Sequence, residues 1–321
     1  MSVLDTLEDQ PPSSLNAIAP HKEFLRDLQP PPLLSVLCLT YNHEKYISTA
    51  IDSFLSQVTS FAIEIIIGED CSTDTTLSIV ENYKNRFPQK IQIIKSEFNV
   101  GMVKNLRRTM KACRGKYIAI CEGDDFWEGT SKLQQQVDFL ENNSDYSITY
   151  HDAYVFDESG IRSKVQLGGS YQCDATSNEL IAARPISTLT ACFRNILGEF
   201  PREFDHAPVP DLCIWSLLGH HGKGKYIKSI EPAAYRIHSG GVFSSQNEKT
   251  RYLQTMQTYL VLSDFYSSSR HGQIATIFLY KTALMAILRL GISSRLKVLG
   301  VSLDALAGHP LHSLKRYFTK I

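Results

Sequence analysis

Apolar positions follow two alternating rhythms along the first half of the chain. Residues 33–39 (LLSVLCL) form an almost unbroken apolar run, the pattern of a strand buried on both faces. Ala50, Ile51, Phe54 and Leu55 then recur at helical spacing within HEKYISTAIDSFLSQ. Residues 61–67 (FAIEIII) predict a second strand and 74–87 a second helix, with Asp74 at its capping end. A third strand at 91–94, a third helix at 101–113 and a fourth strand at 117–121 (YIAIC) continue the alternation. Strands and helices alternating through short connections predict an α/β chain, with a mainly parallel sheet and helices on both faces. In such sheets ligands bind at the carboxyl ends of the strands.

Beyond that point the pattern loosens. A helix is expected over 131–143 (SKLQQQVDFLENN) and short strands at 147–150 and 153–156, followed by an irregular α+β stretch to about 245 and mostly helix thereafter. The expected organisation is a proline-containing tail at 1–32 with a short helix at 21–28, a main domain at 33–245 and a helical, basic segment at 246–321. The main domain divides into an ordered first part (33–150) and an irregular second part (151–245).

Composition narrows the class without choosing a function. The chain has 321 residues with 33 Lys and Arg against 33 Asp and Glu, so global charge points to no nucleic acid partner. No apolar run reaches the ~20 residues of a membrane span, and the acidic, proline-bearing start is not a signal peptide. Seven cysteines without a CxxC pair fit a reduced, cytoplasmic chain. Charge is uneven only near the end, where residues 266–321 carry eight Lys and Arg against one acid, Asp304. Ile274, Ile277, Phe278, Leu284, Ile287 and Leu288 fall at helical spacing among them. That pattern suits a helix lying peripherally on the inner face of the cell membrane. It suits equally a helical subdomain packed on the core, or a homo-oligomer contact.

The chemistry gathers at the strand ends. The first strand runs into Thr40-Tyr41-Asn42-His43, the second into Glu69-Asp70-Cys71-Ser72-Thr73-Asp74 and the fourth into Glu122-Gly123-Asp124-Asp125-Phe126-Trp127. Helix capping accounts for Ser72 and Asp74 as well as a functional role does. Three acids within four residues at 122–125 exceed what one cap needs. Carboxylates kept together call for donors or a cation, and an oxygen-ligand site for Mg²⁺ or Mn²⁺ that also grips a diphosphate is the functional reading.

The runs SVLCLTYNHEKYI, EIIIGEDCSTDTT, N-V-G and GKYIAICEGDD, in this order and spacing, resemble the inverting family 2 glycosyltransferases of GT-A fold, strongly over 33–150 and loosely to about 245. The resemblance makes 33–150 the nucleotide-sugar half and 151–245 the acceptor half of a metal-dependent, non-processive, hexosyltransferase-type enzyme. It implies that Thr40, Tyr41 and Asn42 contact the donor nucleoside, and that Asp70 accepts a hydrogen bond from a uracil-type ring, favouring a UDP-sugar. Asn99, Gly101 and Asn105 match the segment lining the donor pocket. Within the DxD-type run it gives Asp124 to ribose and Asp125 to the metal. Asp211, opening a helix after Pro208-Val209-Pro210, matches the general base, with Asp205 in reserve. His238, in the YRxH-type run 235–238 before Gly240-Gly241, matches a metal ligand.

The implied partners are a nucleotide-sugar donor and a glycan or lipid-linked saccharide acceptor in surface polysaccharide biosynthesis. Two alternatives share the fold: a catalytically inactive nucleotide-sugar binding module, and a GT-A-like nucleotidyltransferase. The second lacks its expected glycine- and basic-rich loop, since TYNHEKY follows the first strand.

Overall fold

A computed structural model describes residues 31–289. The expected tail, its helix at 21–28 and the C-terminal segment after Arg289 lie outside the described residues. Strands β1 (Leu34–Thr40), β2 (Ile63–Glu69), β3 (Ile91–Lys95) and β4 (Tyr117–Ile120) pair in parallel in the order β3-β2-β1-β4. Helices α1 (Ile47–Leu55), α2 (Thr76–Arg86) and α3 (Met102–Ala112) connect them, and α4 (Lys132–Asn142) follows β4. All four strands and all four helices fall where the apolar pattern put them, within about two residues at each strand and within about four at the helix ends.

The packing explains why these strands read as unbroken apolar runs. Leu34, Val36 and Cys38 of β1 face one core with Ile47, Phe54, Val80 and Leu133 from α1, α2 and α4. Leu37 faces the opposite core with Leu106 and Met110 of α3. Ile65 and Ile67 against Ile66 in β2, and Ala119 and Cys121 against Ile118 and Ile120 beside β4, divide the same way. Because successive side chains of a strand point to opposite faces, burial on both faces demands apolar residues at every position.

Where the sheet is crowded by a helix, glycine is required. A Cβ on Gly68 would sit 2.0 Å from Thr109 Oγ1 and 2.7 Å from Asn105 Oδ1, both on α3. Gly68→Ala is therefore expected to lower stability by about 1–3 kcal/mol, read as a lower denaturant midpoint at unchanged slope.

The second half of the sheet is assembled out of order. After β5 (Tyr146–Tyr150), β6 (Ala153–Asp157) and β7 (Gly160–Ser163) come the short α5 (Ser177–Ile181) and β8 (Cys192–Arg194). Strand β8 wedges antiparallel between β4 and β5, and β9 (Lys223–Tyr226) closes the seven-stranded sheet beside β5. Strand β10 (Ala233–Arg236) leaves this sheet and forms a three-stranded one with β6 and β7. Helix α6 (Pro210–Leu218) and the hairpin α7 (Glu248–Ser268) and α8 (Gly272–Arg289) extend the core on the α3 side, through Trp215, Tyr259, Leu262, Tyr266 and Phe278.

Candidate active site

The ends of β1 and β2 are laced together by short polar side chains. Asn42, held at φ 55°, accepts the Thr73 amide on Oδ1 at 2.8 Å, while its own amide donates to Ser72 Oγ at 3.0 Å. Asp74 accepts the amides of Thr76 at 2.9 Å and Glu44 at 3.1 Å, so it holds this turn together as a capping residue does. Thr40 is buried with its hydroxyl unpartnered, and Tyr41 stands 40% exposed above the strand end, a flat face open to a ligand. The buried Glu69 carboxylate accepts from the amides of Cys71 and Ser72.

Asp70 is buried, and its two oxygens accept the Val100 and Gly101 amides at 2.9 Å each. Gly101, at φ 85°, also donates to Asn99 Oδ1 at 3.0 Å, so Asp70 and Asn99 jointly set the turn that enters α3. Asn105, expected in the donor pocket, lies buried inside the fold and braces α3 to β2 through Gly68 O at 2.8 Å. Arg107 and Arg108 of α3 are partly buried and bonded inward. Arg108 reaches Glu69 O and Asn105 Oδ1, and Arg107 reaches Phe200 O and pairs with Asp205. Asp205, the reserve base, is thereby committed to an ion pair.

The acidic run after β4 is clamped by β10. Phe126 and Ala234 form an antiparallel bridge, and the Arg236 amide donates to Asp125 Oδ1 at 2.7 Å. The Arg236 guanidinium, lying against the rings of Tyr46 and Phe156, donates to Asp124 O at 2.8 Å. Trp127 packs beneath the loop against Phe54, its indole N–H donating to Leu189 O at 2.7 Å.

This clamp brings three ligand-type residues together. His238 Nε2 lies 2.9 Å from Asp124 Oδ2, and His43 Nε2 lies 3.8 Å from the same oxygen. The ligand atoms offered by His43, Asp124 and His238 all fall within 4.8 Å of one another. Asp125, expected as the metal ligand, does not belong to this group; its carboxyl is buried and turned to the β10 backbone. His43 has no role in the sequence reading. The only signal for it was its position four residues past the β1 apolar run, and histidines are common enough that this alone selects nothing.

Electrostatics separate the carboxyls. Burial pushes Asp125 well up, and the charges of Asp124 and Glu122 add to it. Glu122 is pushed up to about 8 by burial, then by Asp124, with a contribution from Asp211. For Asp124 burial acts upward too, but the His238 hydrogen bond and the two imidazoles outweigh it and hold the carboxyl below its ordinary range. Burial lowers His43, leaving a neutral imidazole with a lone pair to offer, and its Nδ1 is unpartnered. An ionised carboxylate and a neutral imidazole are good ligands for a transition-metal ion, so of the two ions expected this donor set fits Mn²⁺ and not the hard, oxygen-preferring Mg²⁺.

Asp211 lies in the first turn of α6, after Pro210, and is not its N-cap, which is Val209 with no side-chain cap bond. Burial pushes its carboxyl up to about 6 against the pull of the Leu212 and Asp211 amides and of Trp215. Its charge contributes to the upward shift of Glu122.

Similarity to known proteins agrees with this arrangement. The sequence profile of glycosyl transferase family 2 matches residues 35–197. An uncharacterised protein of Mycobacterium tuberculosis is 31% identical over 247 residues, covering 76% of this chain and 66% of that protein. The chain thus spans just under two thirds of the length of that relative. The UDP-Glc:alpha-D-GlcNAc-diphosphoundecaprenol beta-1,3-glucosyltransferase WfaP of Escherichia coli is 27% identical over 221 residues, covering 67% of this chain and 81% of WfaP. Among solved structures, residues 1–349 of S. aureus TarS in complex with UDP superpose with a TM-score of 0.57 at 18% identity, covering 88% of this chain and 87% of that one. With a mainly parallel sheet, acidic residues at its carboxyl edge and a profile match over half its length, the chain belongs to glycosyl transferase family 2 and has the GT-A fold.

Proposed function

We propose that the protein is an inverting, metal-dependent glycosyltransferase that moves one sugar from a UDP-linked donor to a hydroxyl of a glycan or lipid-linked saccharide in surface polysaccharide synthesis. The observation that carries this reading is a set of three metal-capable side chains on one sheet edge. His43, Asp124 and His238 form it from the ends of β1, β4 and β10, with ligand atoms within 4.8 Å of one another.

In this reading the donor nucleoside lies over Thr40, Tyr41 and Asn42, with Tyr41 against the base. Asp70 keeps further lone pairs for a ring N–H while its backbone bonds fix its aim. The metal role passes from Asp125 to Asp124, with His43 and His238 completing the set, and Glu122 takes the ribose position. A divalent ion bound there would neutralise the charge that develops on the departing nucleoside diphosphate. Asp211 accepts the proton of the acceptor hydroxyl as that oxygen attacks the anomeric carbon from the face opposite the leaving group. One carboxylate suffices for a single inverting displacement. A base titrating at about 6 is ionised at neutral pH, so kcat/KM is expected to fall as pH drops below about 6 and to level off above it.

The acceptor class is supported by the similarity to WfaP, a glucosyltransferase acting on alpha-D-GlcNAc-diphosphoundecaprenol. Calorimetric titration with UDP, GDP and dTDP, each with Mn²⁺ and with EDTA, tests the donor. Binding of UDP that requires Mn²⁺ is expected; metal-independent binding, or a preference for GDP, would remove the metal or the uracil assignment respectively.

A further inference from the structure

The carboxyl edge of the sheet continues past the acidic run. Strands β4 and β5 both run antiparallel to β8, and β9 runs parallel to β5, so β5 and β9 end on the same edge as β1 to β4. A pocket of about 310 Å³ lies there, lined by the end of β5, the 166–172 loop, residues 185–187 and Tyr226. Asp152 is pinned within it: Oδ1 accepts Gln172 Nε2 at 2.8 Å and Oδ2 accepts the Tyr226 hydroxyl at 2.7 Å. Both oxygens keep further lone pairs. Gln166, whose amide donates to Ala153 O at 2.7 Å, has its side-chain Oε1 buried without a hydrogen-bond partner. A buried acceptor without a donor is costly, and a ligand hydroxyl would satisfy it.

The remaining walls are apolar or aromatic, with Leu167, Ile186 and Tyr171 among them. Among the described residues no Lys or Arg lines the pocket. Burial, and then the Lys132 charge, hold the His151 imidazole well below its ordinary range, so it brings no positive charge. Arg184 lies 5.3 Å over the Tyr171 ring but gives its terminal nitrogens to Glu179 and to the carbonyls of Ser170 and Cys173. One side chain ties the pocket to the proposed base. The Trp215 indole N–H donates to Ile186 O at 3.3 Å, and the same residue bonds the Asp211 carboxyl.

Building on the saccharide acceptor read above, we propose that this pocket holds a neutral sugar ring of the acceptor and that Asp152 turns acidic sugars away. Ring hydroxyls donate to Asp152 and Gln166 while the C–H faces lie on the apolar and aromatic walls. A uronate or a phosphate would bring a second negative charge against Asp152 with no cation in the pocket to offset it. A diphosphate link to a lipid therefore lies outside the pocket.

The test is saturation-transfer NMR of the full chain with methyl β-D-glucopyranoside and with methyl β-D-glucuronide, which differ only at the exocyclic carbon. Calorimetric titration with UDP and Mn²⁺ runs beside it. The glucoside is expected to saturate in the millimolar range and the glucuronide to bind ~10-fold or more weakly. Asp152→Asn should bring the two within about threefold of each other. Leu167→Trp, a half-buried loop position that would fill the pocket, should weaken the glucoside ~10-fold or more. Both variants should keep the unfolding midpoint and metal-dependent UDP binding of the wild type. Absence of glucoside binding, equal binding of the two glycosides by the wild type, or undiminished binding by Leu167→Trp overturns the proposal. Displacement of the glucoside by UDP with Mn²⁺ overturns it in favour of the donor site. Absent UDP binding beside an intact preference for the glucoside supports the pocket and strikes the donor reading instead.

Discussion

Asp211→Asn is expected to cut transfer ~10²-fold or more, to leave metal-dependent nucleotide binding intact, and to make the protein more stable at pH 8. The two effects have one origin. Burial at the start of α6 pushes the carboxyl up to about 6, whereas in the unfolded chain it titrates near its ordinary value. Between those two values the folded chain still holds a proton that the unfolded chain has released, so stability falls as pH rises through that window. Above it the full cost of an ionised, buried carboxylate is present, roughly 2–3 kcal/mol for a group that titrates at about 6 folded and at about 4 unfolded. Asparagine removes the charge with almost the same shape, and also removes the base. Thermal unfolding at pH 4 and pH 8 checks the sign: the variant's advantage should appear at pH 8 and shrink at pH 4. Unchanged transfer in Asp211→Asn would strike the residue from the mechanism.

Asp124→Asn and Asp125→Asn should behave oppositely, although the residues are adjacent. Asp124 is the ionised group between two imidazoles, so its replacement removes the anionic ligand, and Mn²⁺-dependent UDP binding is expected to weaken ~10-fold or more. Burial and then its acidic neighbours push the Asp125 carboxyl well up, and its Oδ1 serves the Arg236 amide. Asparagine keeps that acceptor, so binding should stay within about twofold of wild type. The reverse pattern in a calorimetric titration would return the metal role to Asp125. His43→Gln, probed the same way, asks whether the third residue of the group contributes.

The first half of the main domain was legible because its strands are buried on both faces. Every residue of β1, β2 and β4 is then under pressure to be apolar, and runs such as LLSVLCL and FAIEIII carry few other readings. The acidic residues after those strands stand out against such a background, which is why the sequence singles out Asp70, Asp124 and Asp125 as candidates. Assigning their roles required distances. Asp124 and Asp125 are neighbours in sequence, and only the bonds from His238 to one and from the Arg236 amide to the other tell them apart. Asn105 matched a motif yet serves packing, since Gly68 leaves just enough room for α3 to close on β2. Strands β8, β9 and β10 were missed because three or four residues are too few to show an alternation. Their pairings are set by tertiary contacts.

The clamp of β10 on the acidic loop also bears on how the enzyme comes into being. The bonds from Arg236 and His238 to the 124–125 loop join residues 111 to 114 positions apart. Closing a loop of that length costs ~2 kcal/mol more than closing one of ten residues, before any contact offsets it. A nascent chain that has made only β1 to β4 therefore owns the acids but not the histidine that partners them. If His43, Asp124 and His238 hold a cation as proposed, the full ligand set exists only once β10 is in place, and ion binding would be linked to the end of folding. Such an ion would favour the finished chain over its precursors.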